Sequence, residues 1–155
     1  MKIAAAQINT TIGDFEGNVR KIIENIKRAK KLSADVVLFP ELCVCGYPPK
    51  DLLEKPAFVE ANLRAVSEIA SAARGICAVI GFVTINESLN GRPLFNSAGL
   101  VGDGAVKVVQ HKTLLPEYDV FDEARYFEPA IKQETFKIAG VDVGLTACED
   151  MWSSH

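Results

Sequence analysis

The chain has 155 residues, of which 48% are hydrophobic and 24% charged, and its formal net charge at pH 7 is -3. This length and composition predict one globular domain. Charges of both signs are interspersed, which argues against nucleic acid or an anionic membrane as a partner. The sequence has no apolar run of the ~18 residues that a membrane span needs, and its start lacks the apolar core of a signal peptide. We therefore expect a cytoplasmic protein whose four cysteines are reduced.

The first half of the sequence alternates between strand-like and helix-like segments. Apolar side chains recur at helical spacing in two places, and Asp14 precedes the first of them as a candidate N-cap. The predicted elements are, in chain order, a strand from Lys2 to Ile8, a helix containing Val19 to Ala29, a strand from Ala34 to Phe39, a loop from Leu42 to Leu53, and a helix from about Pro56 to Ala73.

Strands dominate the second half, and one long polar segment interrupts them. The predicted strands are Ile76 to Ile85, Leu94 to Val101, Ala105 to Gln110, Thr135 to Ile138 and Val141 to Ala147. Residues Leu114 to Pro129 have no clean period and predict a long functional loop. The element order predicts an α/β fold with a mixed sheet and helices on one face. Because the strands carry apolar residues at both odd and even positions, both faces of the sheet are apolar, and the face without helices must also be buried by other parts of the protein.

Three chemically complementary side chains each close a strand-like segment. Glu41 follows an apolar run that ends at Pro40, Lys112 follows the run that ends at His111, and Cys148 follows the last predicted strand. If these strands share one sheet, the three groups can meet at one edge. A thiol presented on a sharp turn after a strand is typical of a nucleophile.

Together these groups could cleave a carboxamide. Lys112 would favour the thiolate of Cys148, and Glu41 could accept the proton of the thiol. Lys112 and the backbone N–H of Glu149, the residue after Cys148, are candidate donors to the oxyanion. Glu41 could then protonate the leaving ammonia and activate the water that hydrolyses the thioester. This chemistry needs no metal and no organic cofactor.

Four motifs in this order resemble the carbon–nitrogen hydrolase (nitrilase) superfamily, and within it the glutaminase domain that precedes a synthetase domain in glutamine-dependent NAD⁺ synthetases. The motifs are Phe39–Leu42, Gly46–Leu53, His111–Glu123 and Cys148–Trp152. The resemblance implies a four-layer αββα sandwich, of which this chain would hold the N-terminal part. Residues 1–155 would then form a glutaminase domain that is incomplete at its C-terminus, without the synthetase domain.

The resemblance also implies roles for individual residues. Glu41 would be the general base, Lys112 the oxyanion stabiliser and Cys148 the nucleophile, in a reaction that converts glutamine to glutamate and ammonia. Tyr47 and Tyr118 would line the glutamine pocket, and Glu117 would be a second glutamate near the triad. The ammonia would pass to the synthetase domain, the part that uses ATP and Mg²⁺ to make NAD⁺ from deamido-NAD⁺.

Several alternatives remain open at this point. The chain could be a stand-alone amidase that acts on an ω-amide or a carbamoyl substrate, or a non-catalytic half-domain that associates with itself. We expect a homo-oligomer with little glutamine turnover, because the second sheet face lacks a cover. Cys43, Cys45 and His111 could bind zinc, although the pattern lacks a second paired half and favours packing roles.

Overall fold

The computed structural model describes residues 1–88 and 90–152, which form two α-helices and seven strands. The helices are α1 (Phe15–Lys31) and α2 (Pro56–Ala72). The strands are β1 (Ile3–Ala5), β2 (Val36–Leu38), β3 (Cys77–Ile85), β4 (Leu94–Gly102), β5 (Ala105–His111), β6 (Thr135–Ile138) and β7 (Val141–Gly144). Short 3-10 helices span Lys50–Glu54, Glu123–Arg125 and Cys148–Met151.

The main sheet is mixed, as predicted, and its strand order is β1-β2-β3-β4-β5. Strands β1, β2 and β3 run parallel, while β4 is antiparallel to both β3 and β5. Two antiparallel steps make β5 parallel to β3. The carboxyl ends of β2, β3 and β5 therefore lie at one edge of the sheet, together with the amino end of β4.

Both helices cover one face of this sheet. The predicted N-cap is confirmed, since Asp14 Oδ1 accepts a hydrogen bond of 2.9 Å from the backbone N–H of Gly17. Ile22 and Ile26 of α1, Ile69 of α2 and Ile80 of β3 are almost completely buried in the resulting core. Burying each such side chain contributes ~1.5–3 kcal/mol to folding, so this layer supplies the rigid support beneath the sheet.

The β6–β7 hairpin covers part of the opposite face. Ile138 of β6 and Leu145, just after β7, pack on Val79 and Leu100 of the main sheet. Other apolar side chains of this face stay accessible, including Ile3 (51% exposed) and Leu38 (36% exposed). The described residues thus build three layers: helices, a five-stranded sheet and a two-stranded sheet.

Three predicted strands are shorter in the structure, and each has a physical limit. β1 lies at the sheet edge and pairs only with the three residues of β2. β2 ends before Pro40, which has no N–H to donate to a ladder. β7 ends at Gly144, so Cys148 lies not in a strand but at the start of a 3-10 helix.

Candidate active site

Glu41 reaches the sheet edge because its backbone lies directly on a glycine of β3. A Cβ atom on Gly81 would lie only 2.3 Å from the backbone nitrogen of Leu42 and 2.9 Å from Cα of Glu41. The turn is pinned there by the backbone N–H of Val44, which donates to the Gly81 carbonyl at 3.1 Å. Gly81 is therefore the position that lets the Glu41 turn sit against the sheet.

Lys112 directly follows β5 and points its ammonium into a buried cluster. Its Nζ lies 2.7 Å from Glu41 Oε1 and 3.0 Å from each carboxylate oxygen of Glu123, and the residue is only 2% exposed. Burial alone would lower the pKa of Lys112, but the hydrogen bonds and negative charges of Glu41 and Glu123 outweigh it and raise the pKa. The side chain is therefore a fixed cation.

Glu123 is the second acid of this cluster and is buried more deeply than Glu41. It accepts hydrogen bonds from Tyr47 Oη at 2.8 Å and from Asn96 Nδ2 at 3.2 Å. Burial, and then the charge of Glu41, raise the pKa of Glu123 against the opposing pull of Lys112. Asn96 Nδ2 also donates to Glu41 Oε1 at 2.6 Å, so one amide bridges both carboxylates.

The sequence-based expectation placed Glu117 beside the triad, and the structure corrects it. Glu117 is exposed, whereas Glu123, six residues later, contacts Lys112. The long loop has no periodicity that distinguishes its acids, so spacing could not select between them. Asn96 was also missed, although a polar residue inside an apolar strand is a usable signal, because buried amides need partners.

Cys148 lies on a turn that opens into a cavity shared with Glu41. The residue is exposed and has a φ of 45° in the left-handed region, which a non-glycine residue adopts at a cost of ~1–3 kcal/mol. The cavity has a volume of about 570 Å³ and is lined by Glu41, Asn96 and Cys148 together with apolar side chains of the second sheet face. The structure thus brings the thiol and the carboxylate to one solvent-accessible space.

Lys112 favours the thiolate of Cys148, as expected, because its charge lowers the pKa of the thiol. Partial burial of the sulfur and the negative charge of Glu41 raise the pKa by more, so the net shift is upward. The resting nucleophile is therefore a protonated thiol. A base is required to activate it, and Glu41 is the carboxylate on the same cavity.

The two tyrosines both lie near Phe121, with ring centroids 6.2 Å (Tyr47) and 5.4 Å (Tyr118) from its ring centroid. Tyr47 also donates a hydrogen bond to Glu123 Oε1. Tyr118 is 57% exposed and donates to Glu149 Oε2 at 2.8 Å. That hydrogen bond raises the pKa of Tyr118, and it ties an aromatic ring to the residue next to Cys148.

His111 and two of the cysteines have packing contacts. His111 Nδ1 lies 2.8 Å from Ser97 Oγ, its ring stacks on Phe95 at 4.1 Å, and burial lowers its pKa. The thiols of Cys43 and Cys45 contact backbone carbonyls, and burial raises the pKa of each to about 12. Within residues 1–88 and 90–152, no three His, Cys, Asp or Glu side chains are placed to hold a metal ion.

Comparison with known sequences assigns this architecture to a family. A sequence profile for carbon–nitrogen hydrolases matches residues 2–155. The chain belongs to the carbon–nitrogen hydrolase family. It is 44% identical over 157 aligned positions to a glutamine-dependent NAD(+) synthetase of Synechocystis sp., which covers 99% of this chain and 28% of that protein. It is 39% identical to the glutamine-dependent NAD(+) synthetase of Thermotoga maritima, of which it spans 26%. The chain thus spans about a quarter of the length of these curated relatives.

Solved structures of the same family show the same fold. The glutamine-dependent NAD+ synthetase of Acinetobacter baumannii, solved with ADP, superimposes with a TM-score of 0.91 at 40% identity, over 98% of this chain and 28% of that one. The amidase of Nesterenkonia sp. AN1 superimposes with a TM-score of 0.80 at 26% identity, over 96% of this chain and 57% of that one. In a variant of that amidase, acrylamide has added to the active-site cysteine. The α/β nitrilase-type fold predicted from the sequence is therefore confirmed. Among the described residues, the helices are too short or too polar to cross a membrane.

Proposed function

We propose that this chain carries the glutaminase site of a glutamine-dependent NAD⁺ synthetase and that Cys148, Glu41 and Lys112 perform the hydrolysis. The observation that carries the proposal is the common cavity of the Cys148 thiol and the Glu41 carboxylate, with the Lys112 ammonium 2.7 Å from that carboxylate. The arrangement holds a nucleophile, a base and a cation at one sheet edge, which are the roles that hydrolysis of an amide through a thioester uses.

Acylation begins with transfer of the thiol proton from Cys148 to Glu41. The sulfur then adds to the amide carbon of glutamine, and its electron pair moves onto the carbonyl oxygen. The backbone N–H of Glu149 and one N–H of Lys112 would stabilise that oxyanion. Lys112 has three N–H donors and contacts three carboxylate oxygens of Glu41 and Glu123, so the oxyanion would take over a donor that a Glu123 oxygen holds in the resting site.

Collapse of this intermediate breaks the carbon–nitrogen bond. Protonated Glu41 gives its proton to the departing nitrogen, so ammonia leaves and a glutamyl thioester remains on Cys148. Glu41, again a carboxylate, removes a proton from water as the water attacks the thioester. The thiolate leaves and is reprotonated by Glu41, which restores the resting site and releases glutamate.

The relatives support glutamine as the substrate and a synthetase as the consumer of ammonia. Two relatives at 39% and 44% identity are named glutamine-dependent NAD(+) synthetases. Tyr47 and Tyr118 are proposed to border the glutamine pocket, and Tyr118 touches the turn of the nucleophile through Glu149. The ATP- and Mg²⁺-dependent step would belong to a synthetase domain rather than to these residues.

A stand-alone amidase is the second candidate. The similarity to the Nesterenkonia amidase, with a TM-score of 0.80 over 96% of this chain, favours it. If the protein is a stand-alone amidase, it should hydrolyse small amides such as propionamide at least as fast as glutamine.

The exposed apolar residues support a further proposal, that the chain associates with itself. Ile3, Leu38, Met151 and Trp152 are all accessible, the last at 80%. Exposed apolar patches favour association, and a loosely held site turns over slowly. We expect an oligomer in sedimentation experiments, with turnover well below ~1 per second. A monomer that turns over glutamine at ~1 per second or faster would contradict this proposal.

The proposed function is tested with a reagent that does not require turnover. A diazoketone analogue of glutamine should alkylate Cys148, and excess glutamine should protect it, whereas propionamide should not. Peptide mapping separates Cys148 from the other three thiols, and Cys148→Ala is the control. Protection by propionamide but not by glutamine would favour the stand-alone amidase.

A further inference from the structure

The carboxylate of Asp150 joins the two segments that carry the nucleophile and the cation. Its Oδ1 accepts from the backbone N–H of Thr113 at 3.0 Å, from Thr113 Oγ1 at 2.6 Å and from the backbone N–H of Leu114 at 2.8 Å. Its Oδ2 accepts from the backbone N–H of Ala147 at 3.1 Å. One side chain thus accepts hydrogen bonds from four donors, which lie in two segments that are far apart in the sequence.

The donors to Asp150 lie next to the cation and next to the nucleophile. Thr113 directly follows Lys112, whose backbone N–H is itself fixed to Asn96 at 2.8 Å, and Ala147 directly precedes Cys148. The Asp150 carboxylate therefore connects the backbone on one side of the cation to the backbone on one side of the nucleophile. Hydrogen bonds to an ionised acceptor are shorter and stronger than neutral ones.

A local cap of the 3-10 helix does not account for this arrangement. A cap explains the bond from Ala147 and the return bond from the Asp150 N–H to the Ala147 carbonyl at 3.1 Å. It does not explain the three donors from Thr113 and Leu114, which lie 37 and 36 positions away. The rest of the turn has little support of its own, since Met151 and Trp152 are 75% and 80% exposed.

We propose that Asp150 is a positioning residue that sets where the Cys148 thiol stands relative to the Glu41–Lys112 pair. The proposal rests on the proposed function, in which Cys148 is the nucleophile and Glu41 its base. Without the carboxylate the turn would still begin at Cys148, but it would no longer be anchored to the segment after Lys112. The thiol would then leave the position where Glu41 can take its proton.

The test compares Asp150→Ala and Asp150→Asn with wild type in two measurements. The first is glutamine hydrolysis, where Asp150→Ala should lower kcat by ~100-fold with a smaller change in KM, the size expected for a misplacement of about 1 Å. Asp150→Asn retains one carbonyl oxygen for Thr113 and Leu114 but puts an NH₂ group against the Ala147 N–H, so its loss should be intermediate.

The second measurement is the pH profile of Cys148 alkylation by iodoacetamide, read by peptide mapping. In wild type the midpoint should lie above that of an ordinary thiol, because the site raises the pKa of Cys148. In Asp150→Ala the midpoint should fall towards the ordinary value, and alkylation at neutral pH should be as fast or faster. Catalysis is thus lost while the reactivity of the thiol is kept.

Controls separate positioning from unfolding and from failure of the proposed function. Labelling of the buried Cys43 and Cys45 by iodoacetamide reports unfolding. If Asp150→Ala unfolds, the two measurements on Asp150→Asn test the positioning role instead. Asp142→Ala removes an exposed carboxylate of β7 and should change neither readout. Folded variants with kcat within threefold of wild type and an unmoved midpoint would overturn the proposal. If wild type hydrolyses no amide, the proposed function fails, and the midpoint shift alone still decides the role of Asp150.

Discussion

The two halves of the candidate site are built differently. The acid–base half, Glu41, Lys112 and Glu123 with Asn96, is largely buried and cross-linked by hydrogen bonds of 2.6 to 3.2 Å. The nucleophile half is a short exposed turn at Cys148, held to the sheet edge through Asp150. Buried charges left unpaired are costly, whereas an exposed thiol is not. Damage to the first half should therefore affect stability and activity together, and damage to the second should affect activity alone.

The sharpest test of this contrast is Cys148→Ala. It should abolish glutamine hydrolysis, with a loss of several orders of magnitude as for other covalent nucleophiles. Because the side chain is exposed, the free energy of unfolding should stay within ~0.5 kcal/mol of wild type. Ammonia release and urea denaturation measure the two effects. A large loss of stability would show that the turn is a structural element after all.

Lys112→Met should lower both stability and activity. It leaves the carboxylates of Glu41 and Glu123 without their cation, and breaking a buried pair in this way costs ~3–5 kcal/mol. Lys137→Met is the matched control, since it removes an exposed lysine from an ion pair with Asp142 and should cost at most ~1 kcal/mol. Equal urea midpoints for the two variants would contradict the account of the buried cluster.

Gly81→Ala tests whether the position of Glu41 depends on close backbone approach. The new Cβ would meet the Leu42 nitrogen at 2.3 Å, so the Glu41 turn must move. We expect a stability loss of ~1–3 kcal/mol and a ~100-fold loss of hydrolysis. Gly144→Ala, where an added Cβ meets nothing within 4 Å, should leave stability nearly unchanged. Full activity of Gly81→Ala would show that the turn tolerates displacement.

The smallest effect should come from alkaline pH and should not involve the site. The pKa of the buried Cys43 and Cys45 thiols is raised from 9.0 to about 12. As pH rises through 9 the unfolded chain loses these protons and the folded chain keeps them, so stability falls as pH rises. Between pH 8 and 9 the loss should be ~0.4 kcal/mol for each thiol. Urea midpoints at pH 8 and pH 9 check this, and the loss should shrink in Cys43→Ala/Cys45→Ala.

The sequence predicted the elements of this fold better than it predicted the contacts of the site. The helical spacing around Ile22 and the apolar run around Val37 are local signals of burial, and both are confirmed. Glu41, Lys112 and Cys148 could be selected because each follows a strand-like run. Asn96 and Glu123 could not be paired with them, because their contacts join residues 55 and 11 positions away and depend on strand order.

The protonation of Cys148 shows the same limit. A lysine near a thiol predicts a bias towards the thiolate, and Lys112 does lower the pKa of Cys148. The structure adds the partial burial of the sulfur and the opposing charges of Glu41 and Glu123, which together outweigh Lys112. These quantities depend on three-dimensional distances, so no spacing along the chain could have supplied them.

The most direct test of the central claim, that Cys148 attacks an amide with Glu41 as its base, is partition of the acyl intermediate with hydroxylamine. With glutamine and increasing hydroxylamine, the protein should form glutamyl hydroxamate at the expense of glutamate, while Cys148→Ala and Glu41→Gln form neither. Hydroxamate formation that persists in Cys148→Ala, or glutamate release that no concentration of hydroxylamine diverts, would contradict the account.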